Sequence, residues 1–160
     1  MKKNKILIIG LSLIISIGLL VGCTLHISQN AVKYEDGIYI AQEDDFDEQT
    51  GFKDIVKLEV KDGKIISADW NGVQKDGEDK KTLSKNGGYP MVEKAGAKAP
   101  WHEQAEKVEA FLLKTQDPTA IEYKDNEGRT DAISGVSIHV SEFFKLAKKA
   151  LDNGPVKKNE

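Results

Sequence analysis

The sequence predicts an α+β domain, a small, mostly antiparallel sheet packed with two main helices. Three observations lead there. Apolar and charged residues alternate on both sides of Asp62-Gly63, a helix-period stripe follows Pro100, and a second such stripe runs from Val136 to Leu151. The 160-residue length is that of about one domain. The expected organisation is a signal peptide over residues 1–22, an anchored cysteine and tether over 23–34, the domain over 35–152 and a charged tail over 153–160.

Met1 to Lys5 is basic, and Ile6 to Gly22 is an apolar run of 17 residues, the pattern of an export signal. Leu20-Val21-Gly22-Cys23 resembles the lipobox of bacterial lipoproteins. That resemblance implies cleavage before Cys23, a lipid on its sulfur, and a domain held on the extracytoplasmic face of the cell membrane by acyl chains. An uncleaved membrane helix ending at Cys23 is the other reading, and it too puts the remainder outside the cytoplasm. Cys23 is the only cysteine, so an internal disulfide, a cysteine metal cluster and a CxxC redox pair are excluded. The chain carries −3 overall, and setting aside the three lysines before Cys23 leaves about −6 on the rest, which argues against nucleic acid as a partner. Thr24 to Tyr34 is polar and aperiodic and reads as a tether.

Ile38 to Ala41 predicts a first strand, and the acidic stretch Glu43 to Glu48 a solvated loop, because the glycine and glutamate that a calcium loop requires are missing. In Ile55 to Lys61, Val56, Leu58 and Val60 alternate with Lys57, Glu59 and Lys61. Asp62-Gly63 is the strongest short hairpin signal, since both positions of a type I′ turn need φ > 0. Lys64 to Trp70 is the returning strand. A regular two-residue hairpin pairs Val60 with Ile65, Glu59 with Ile66 and Ile55 with Trp70, giving a second apolar face in need of cover. Asn71 to Ala99 reads as loops, with a short turn near Tyr89 to Val92. Pro100 suits a first helical position; Trp101, Ala105, Val108 and Leu112 recur at helical spacing, and Asp117-Pro118 stops the helix. Ile121 to Lys124 and Arg129 to Ile133 read as a short hairpin. From Val136 the apolar residues through Leu151 fall within an arc of about 120°, and Asn153-Gly154-Pro155 ends that helix.

Between the short hairpin and the last helix stands Asp131-Ala132-Ile133-Ser134-Gly135-Val136-Ser137. It resembles the Asp-x-x-Ser/Thr-Gly-Ala-Thr signature of FMN-binding domains. The order of the flanking segments is similar as well: Tyr34 to Tyr39, Val56 to Ile66 around Asp-Gly, the helix running into Gln116-Asp117-Pro118, and Phe143 to Leu151. The family comprises FMN-binding lipoproteins of extracellular electron transfer and the FMN-carrying peripheral subunits of sodium-pumping NADH:quinone oxidoreductase and Rnf complexes. Membership implies FMN joined by its phosphate to the last hydroxyl of the motif, here Ser137, by an exported, Mg²⁺-dependent flavin transferase that uses FAD. It further implies a membrane reductase or quinone-linked donor as partner. Val136 and Ser137 stand where the family usually has alanine and threonine.

The residues alone favour the same spot. Ser134-Gly135 is a tight turn, and a helix from Val136 has Ser137 in its first turn, where free N–H groups and the dipole favour a phosphate. A plain helix cap is the commoner use of such a serine. Asp131, Ser134 and Gly135 complete the motif, and Trp70 and Trp101 are the candidate aromatic neighbours of a flavin ring, although core packing is the usual role of a buried tryptophan. The three histidines have no metal-ligand spacing, and the GxSxG, HExxH and GxxxxGK[ST] motifs are absent. Two functions of different classes follow: a membrane-tethered electron-transfer flavoprotein rather than an enzyme with its own substrate, or a flavin-free surface lipoprotein acting as an interaction module.

Overall fold

Asp62 and Gly63 have φ of 53° and 71°, both left-handed, as a type I′ turn demands. The turn joins β2 (Lys53–Lys61) to β3 (Lys64–Val73), and β1 (Gly37–Gln42) pairs with the other edge of β2, giving an antiparallel sheet in the order β1-β2-β3. The computed structural model describes residues 34–157. The expected signal peptide, the lipid-anchored Cys23 and the tether as far as residue 33 lie outside the described residues, as do residues 158–160. Among the described residues no helix is long and apolar enough to cross a membrane.

Strand pairing departs from the regular hairpin at one point. Val60 faces Ile65 as expected, but Glu59 faces Ser67, Val56 faces Trp70 and Ile55 faces Asn71. A β-bulge leaves Ile66 without a partner, which shifts the rest of β3 by one residue and so turns Trp70 to the face of Val56, Leu58 and Val60. Ile66 itself is exposed. The second apolar face, inferred from an unbroken register, therefore does not form.

One sheet face is buried, carrying Tyr39, Ala41, Val56, Leu58, Val60, Ile65 and Trp70. Two helices cover it. The helix α3 (Trp101–Thr115) packs on β3 through Trp101, Ala105, Val108 and Leu112; α4 (Ser141–Asn153) packs on β1 and β2 through Phe143, Phe144, Ala147 and Ala150. This is the expected α+β architecture. Pro100 caps α3 rather than opening it, and Gln116, with φ of 60°, ends it one residue ahead of Asp117-Pro118. The Gln116 amide exchanges two hydrogen bonds with the backbone of Ile65, at 2.8 and 2.9 Å, fastening the helix end to β3.

Three other expectations need correction. The stretch read as loops contains α1 (Lys80–Lys85) and α2 (Met91–Ala95), too short to show a period. Asp79 starts α1 by accepting from Thr82 N–H at 2.8 Å. The arms Ile121 to Lys124 and Arg129 to Ile133 are not strands; Lys124 N–H meets Arg129 C=O at 2.9 Å around a turn closed by the Asp125 carboxylate. Finally, α4 starts at Ser141 and not at Val136. Val136, Ile138 and Val140 are buried with Ser137 and His139 between them, a two-residue alternation. Val136 and Val140 satisfy both periods, which is why the helix looked longer from sequence. Beyond Gly154, Val156 N–H donates to Ile38 C=O at 2.7 Å, so the tail begins along β1.

Candidate functional site

A cleft of about 630 Å³ opens where the ends of β2 and β3 meet α1, α2, α3 and the loop before α4. Trp70 and Trp101 are among the residues that line it, with ring centroids 5.3 Å apart at 66°. Both are buried, so each offers the cleft only part of its ring. Trp70 is fixed from two sides. Its indole N–H donates to Asp54 Oδ2 at 3.0 Å, and its backbone N–H donates to Glu109 Oε1 at 2.7 Å. Burial raises the Glu109 carboxyl above the ordinary range, and the Lys81 ammonium 2.8 Å away pulls it back.

Ser137, half-buried, lines the same cleft. It is not in a helical turn. Gln104 of α3, wholly buried, holds its loop: Gln104 Oε1 accepts from the N–H of Ser137 at 2.6 Å, from that of Ile138 at 3.3 Å and from the Ser137 hydroxyl at 3.3 Å. Gln104 Nε2 donates to Ala99 C=O at 2.6 Å, and Lys98 N–H reaches Ser137 Oγ at 3.4 Å. One glutamine thus ties the loop before α3 to the loop before α4 and leaves a serine hydroxyl on the cleft wall. The α4 N-terminus, Ser141 and Glu142, lines the same cleft and has no side-chain cap bond. The free N–H groups expected around Ser137 therefore belong to residues four and more positions later.

The other motif residues shape this loop without lining the cleft. Gly135, with φ of 78°, is the third residue of a turn closed by Val136 N–H to Ile133 C=O at 3.3 Å, a conformation that needs glycine. Val136 points into the core and not toward the cleft. Ser134 is exposed, and the exposed Asp131 carboxylate pairs with Lys124 Nζ at 3.1 Å.

The sequence reading missed a polar centre beside the tryptophans. Lys80 of α1, only 9% exposed, lies with its Nζ 4.7 Å from the Trp101 ring centroid, 5.2 Å from Phe52 and 5.4 Å from Tyr89. Asp54 Oδ1 is 4.0 Å from that ammonium. Burial lowers Lys80 and raises Asp54, and the opposite charge of each restrains the other's shift. The signals available were an Asp79 cap and a polar residue interrupting an apolar strand, neither specific. Gln104 was more legible: it sits about 60° from the Trp101-Ala105-Val108-Leu112 stripe, where a polar side chain has to find partners.

The remaining carboxylates on the cleft are engaged. Glu43 Oε2 accepts from Asp54 N–H at 2.8 Å, Glu127 pairs with Arg129 at 2.6 Å and Glu142 with Lys145 at 3.4 Å. Asp47 Oδ1 takes the N–H groups of Gln49 and Thr50, at 3.0 and 2.6 Å, closing the acidic loop on itself. His139 Nε2 is 3.4 Å from Glu127, and His102 Nδ1 is 2.9 Å from Ser84 Oγ, away from the cleft lining.

No family model and no curated protein matches the chain. Two solved structures do. The solution NMR structure of a Clostridium thermocellum protein, a Northeast Structural Genomics Consortium target, is 60% identical, covers 79% of this chain and 98% of its own, and superposes with a TM-score of 0.59. The chain belongs to that protein's family. A second target of the same consortium, the crystal structure of the CPE2226 protein from Clostridium perfringens, is similar at 26% identity and a TM-score of 0.57, over 76% of this chain and 88% of its own. The likeness to both clostridial proteins extends over most of the chain, in keeping with the compact unit that contains all the described residues.

Proposed function

We propose that this protein is an exported, lipid-anchored electron carrier bearing one FMN joined through its phosphate to Ser137. The observation that carries the proposal is the meeting of Ser137, Trp70 and Trp101, from three separate segments, on one cleft of about 630 Å³. Pockets for small molecules run from roughly 300 to 1,000 Å³, so the volume suits a flavin. The residues lining the cleft fit the group: the Ser137 hydroxyl for a phosphoester, Trp70 and Trp101 for a flat ring, and the α4 N-terminus and Arg129 as positive groups for a phosphate.

FMN, when bound, supplies one- and two-electron exchange. Everything else is the work of the chain. Gln104 holds the Ser137 loop open to an external enzyme. Ser137 Oγ would hold FMN through a phosphodiester, its hydroxyl proton being given up to the flavin transferase. The phosphodiester so formed keeps one negative charge, which the α4 dipole favours. Cys23, outside the described residues, holds the domain on the extracytoplasmic membrane surface, within reach of a membrane reductase or quinone-linked donor.

Intact-protein mass after export from a host with the transferase tests the reading. The wild-type chain is expected to carry one lipid-modified cysteine and one FMN, Ser137→Thr to keep the flavin, and Ser137→Ala to lack it while remaining folded. Covalent FMN on folded Ser137→Ala refutes the attachment site, and a wild-type chain that never gains flavin beside a modified control protein favours a flavin-free surface lipoprotein. Because Val136 is buried, Ser137→Thr is a cleaner comparison than a double change with Val136→Ala, which removes core volume.

A further inference from the structure

Lys80 presents an unusual combination for a buried cation. Among the described residues its ammonium has one carboxylate oxygen in ion-pair range, Asp54 Oδ1 at 4.0 Å, beyond hydrogen-bond distance. Three aromatic rings within about 6 Å stabilise the charge from its sides but accept no conventional hydrogen bond. Its three N–H donors therefore have no acceptor at bonding distance among the described residues, although both Lys80 and Asp54 line the cleft. Asp54 is complementary. Oδ2 is used by the Trp70 indole N–H at 3.0 Å, while Oδ1 accepts no hydrogen bond from a described residue.

The pair also has space made for it. A Cβ at Gly72 would come within 3.1 Å of Asp54 Oδ1, 3.2 Å of Lys80 Cδ and 3.3 Å of Phe52 Cδ1. The missing side chain at this β3 position lets the carboxylate and the lysine stem lie against the strand.

We infer that Lys80 and Asp54 recognise the imide edge, CO–NH–CO, of a flat heteroaromatic ring entering the cleft, the ammonium donating to a carbonyl and Asp54 Oδ1 accepting the N–H. A carboxylate alone rejects the two carbonyls and an ammonium alone rejects the N–H, whereas adjacent opposite charges match a donor beside an acceptor. Both groups open on the cleft, and a flat ring seated over them would exclude water, which strengthens both hydrogen bonds and penalises a ring that leaves either group unpaired. Among ring systems with such an edge the flavin is selected by the cleft's other residues, so the inference rests on the flavin reading of this site and adds the end of the ring that is held. It also sets the orientation: the phosphate end at Ser137, the imide end at α1.

The test uses the full-length Ser137→Ala chain in detergent, which cannot be esterified, with free riboflavin and 3-methylriboflavin as probes and flavin fluorescence as readout. Riboflavin is expected to bind and be quenched, and methylation of its imide nitrogen to weaken binding at least tenfold. Lys80→Met in the same background is expected to weaken riboflavin binding at least tenfold, with circular dichroism checking the fold. The methylated probe keeps the test independent of that variant's folding. Equal binding of the two flavins, or no binding of riboflavin, overturns the inference. Esterification is read separately: a wild-type chain of unmodified mass whose Ser137→Ala form still discriminates the two flavins would sink the phosphoester and leave the ring site standing.

Discussion

Replacing Gln104 by leucine is expected to destabilise the domain by about 2–4 kcal/mol, because an apolar side chain of similar size removes the hydrogen-bond partners of two loops at once. The magnitude follows from the bonds lost. The two short ones, Ser137 N–H to Oε1 and Nε2 to Ala99 C=O, are both 2.6 Å and each costs about 1–2 kcal/mol when a polar group is left unpaired. The two 3.3 Å contacts, from Ile138 N–H and the Ser137 hydroxyl, add less. Leucine keeps most of the packing at a position with no exposure, so the loss is chiefly one of hydrogen bonds. Urea denaturation measures it: with a slope of about 2 kcal/mol per molar, the midpoint should fall by roughly 1–2 M at unchanged slope. Below that concentration the variant is folded, and its Ser137 loop should be a poorer substrate for the flavin transferase. An unchanged midpoint would show that Gln104 does not secure these loops, and normal flavin incorporation would show that its hold on Ser137 is irrelevant to modification.

Gly63→Val places a β-branched residue at φ of 71° and should cost roughly 1–2 kcal/mol, read as a lower denaturation midpoint. Asp54, raised by burial, keeps its proton to higher pH in the folded than in the unfolded chain. Its contribution to stability is therefore present at low pH and lost as pH rises through the raised value. Trp70 fluorescence should report that titration through the indole bond, with a midpoint above the ordinary carboxylate range that moves further up in Lys80→Met; a midpoint moving down would contradict the assigned role of the Lys80 charge. Cys23→Ser should leave the chain without lipid, and undiminished fatty-acid labelling of that variant would remove the lipobox reading.

What the sequence determined by itself is what short-range chemistry dictates. Asp62-Gly63 had to turn because its two residues tolerate positive φ, and Val56, Leu58 and Val60 had to share a face because a strand alternates. The stripe from Trp101 to Leu112 and that from Phe143 to Leu151 required helices with one buried side, and these observations together carry the α+β class. Within the Asp131 to Ser137 motif, the tight turn at Ser134-Gly135 was legible. Tertiary structure decided the rest, because each remaining feature is a balance struck between distant residues. Whether Trp70 faces the core depended on a bulge that no local pattern announces, and whether Ser137 opens a helix or sits in a loop depended on Gln104, 33 residues earlier, taking its N–H. The short helices α1 and α2 lack a period of their own, so the cleft's Lys80 and its aromatic walls come together only when β2, β3 and α3 pack. Burial then alters the chemistry of Lys80 and Asp54, a property of their surroundings and not of their place in the chain.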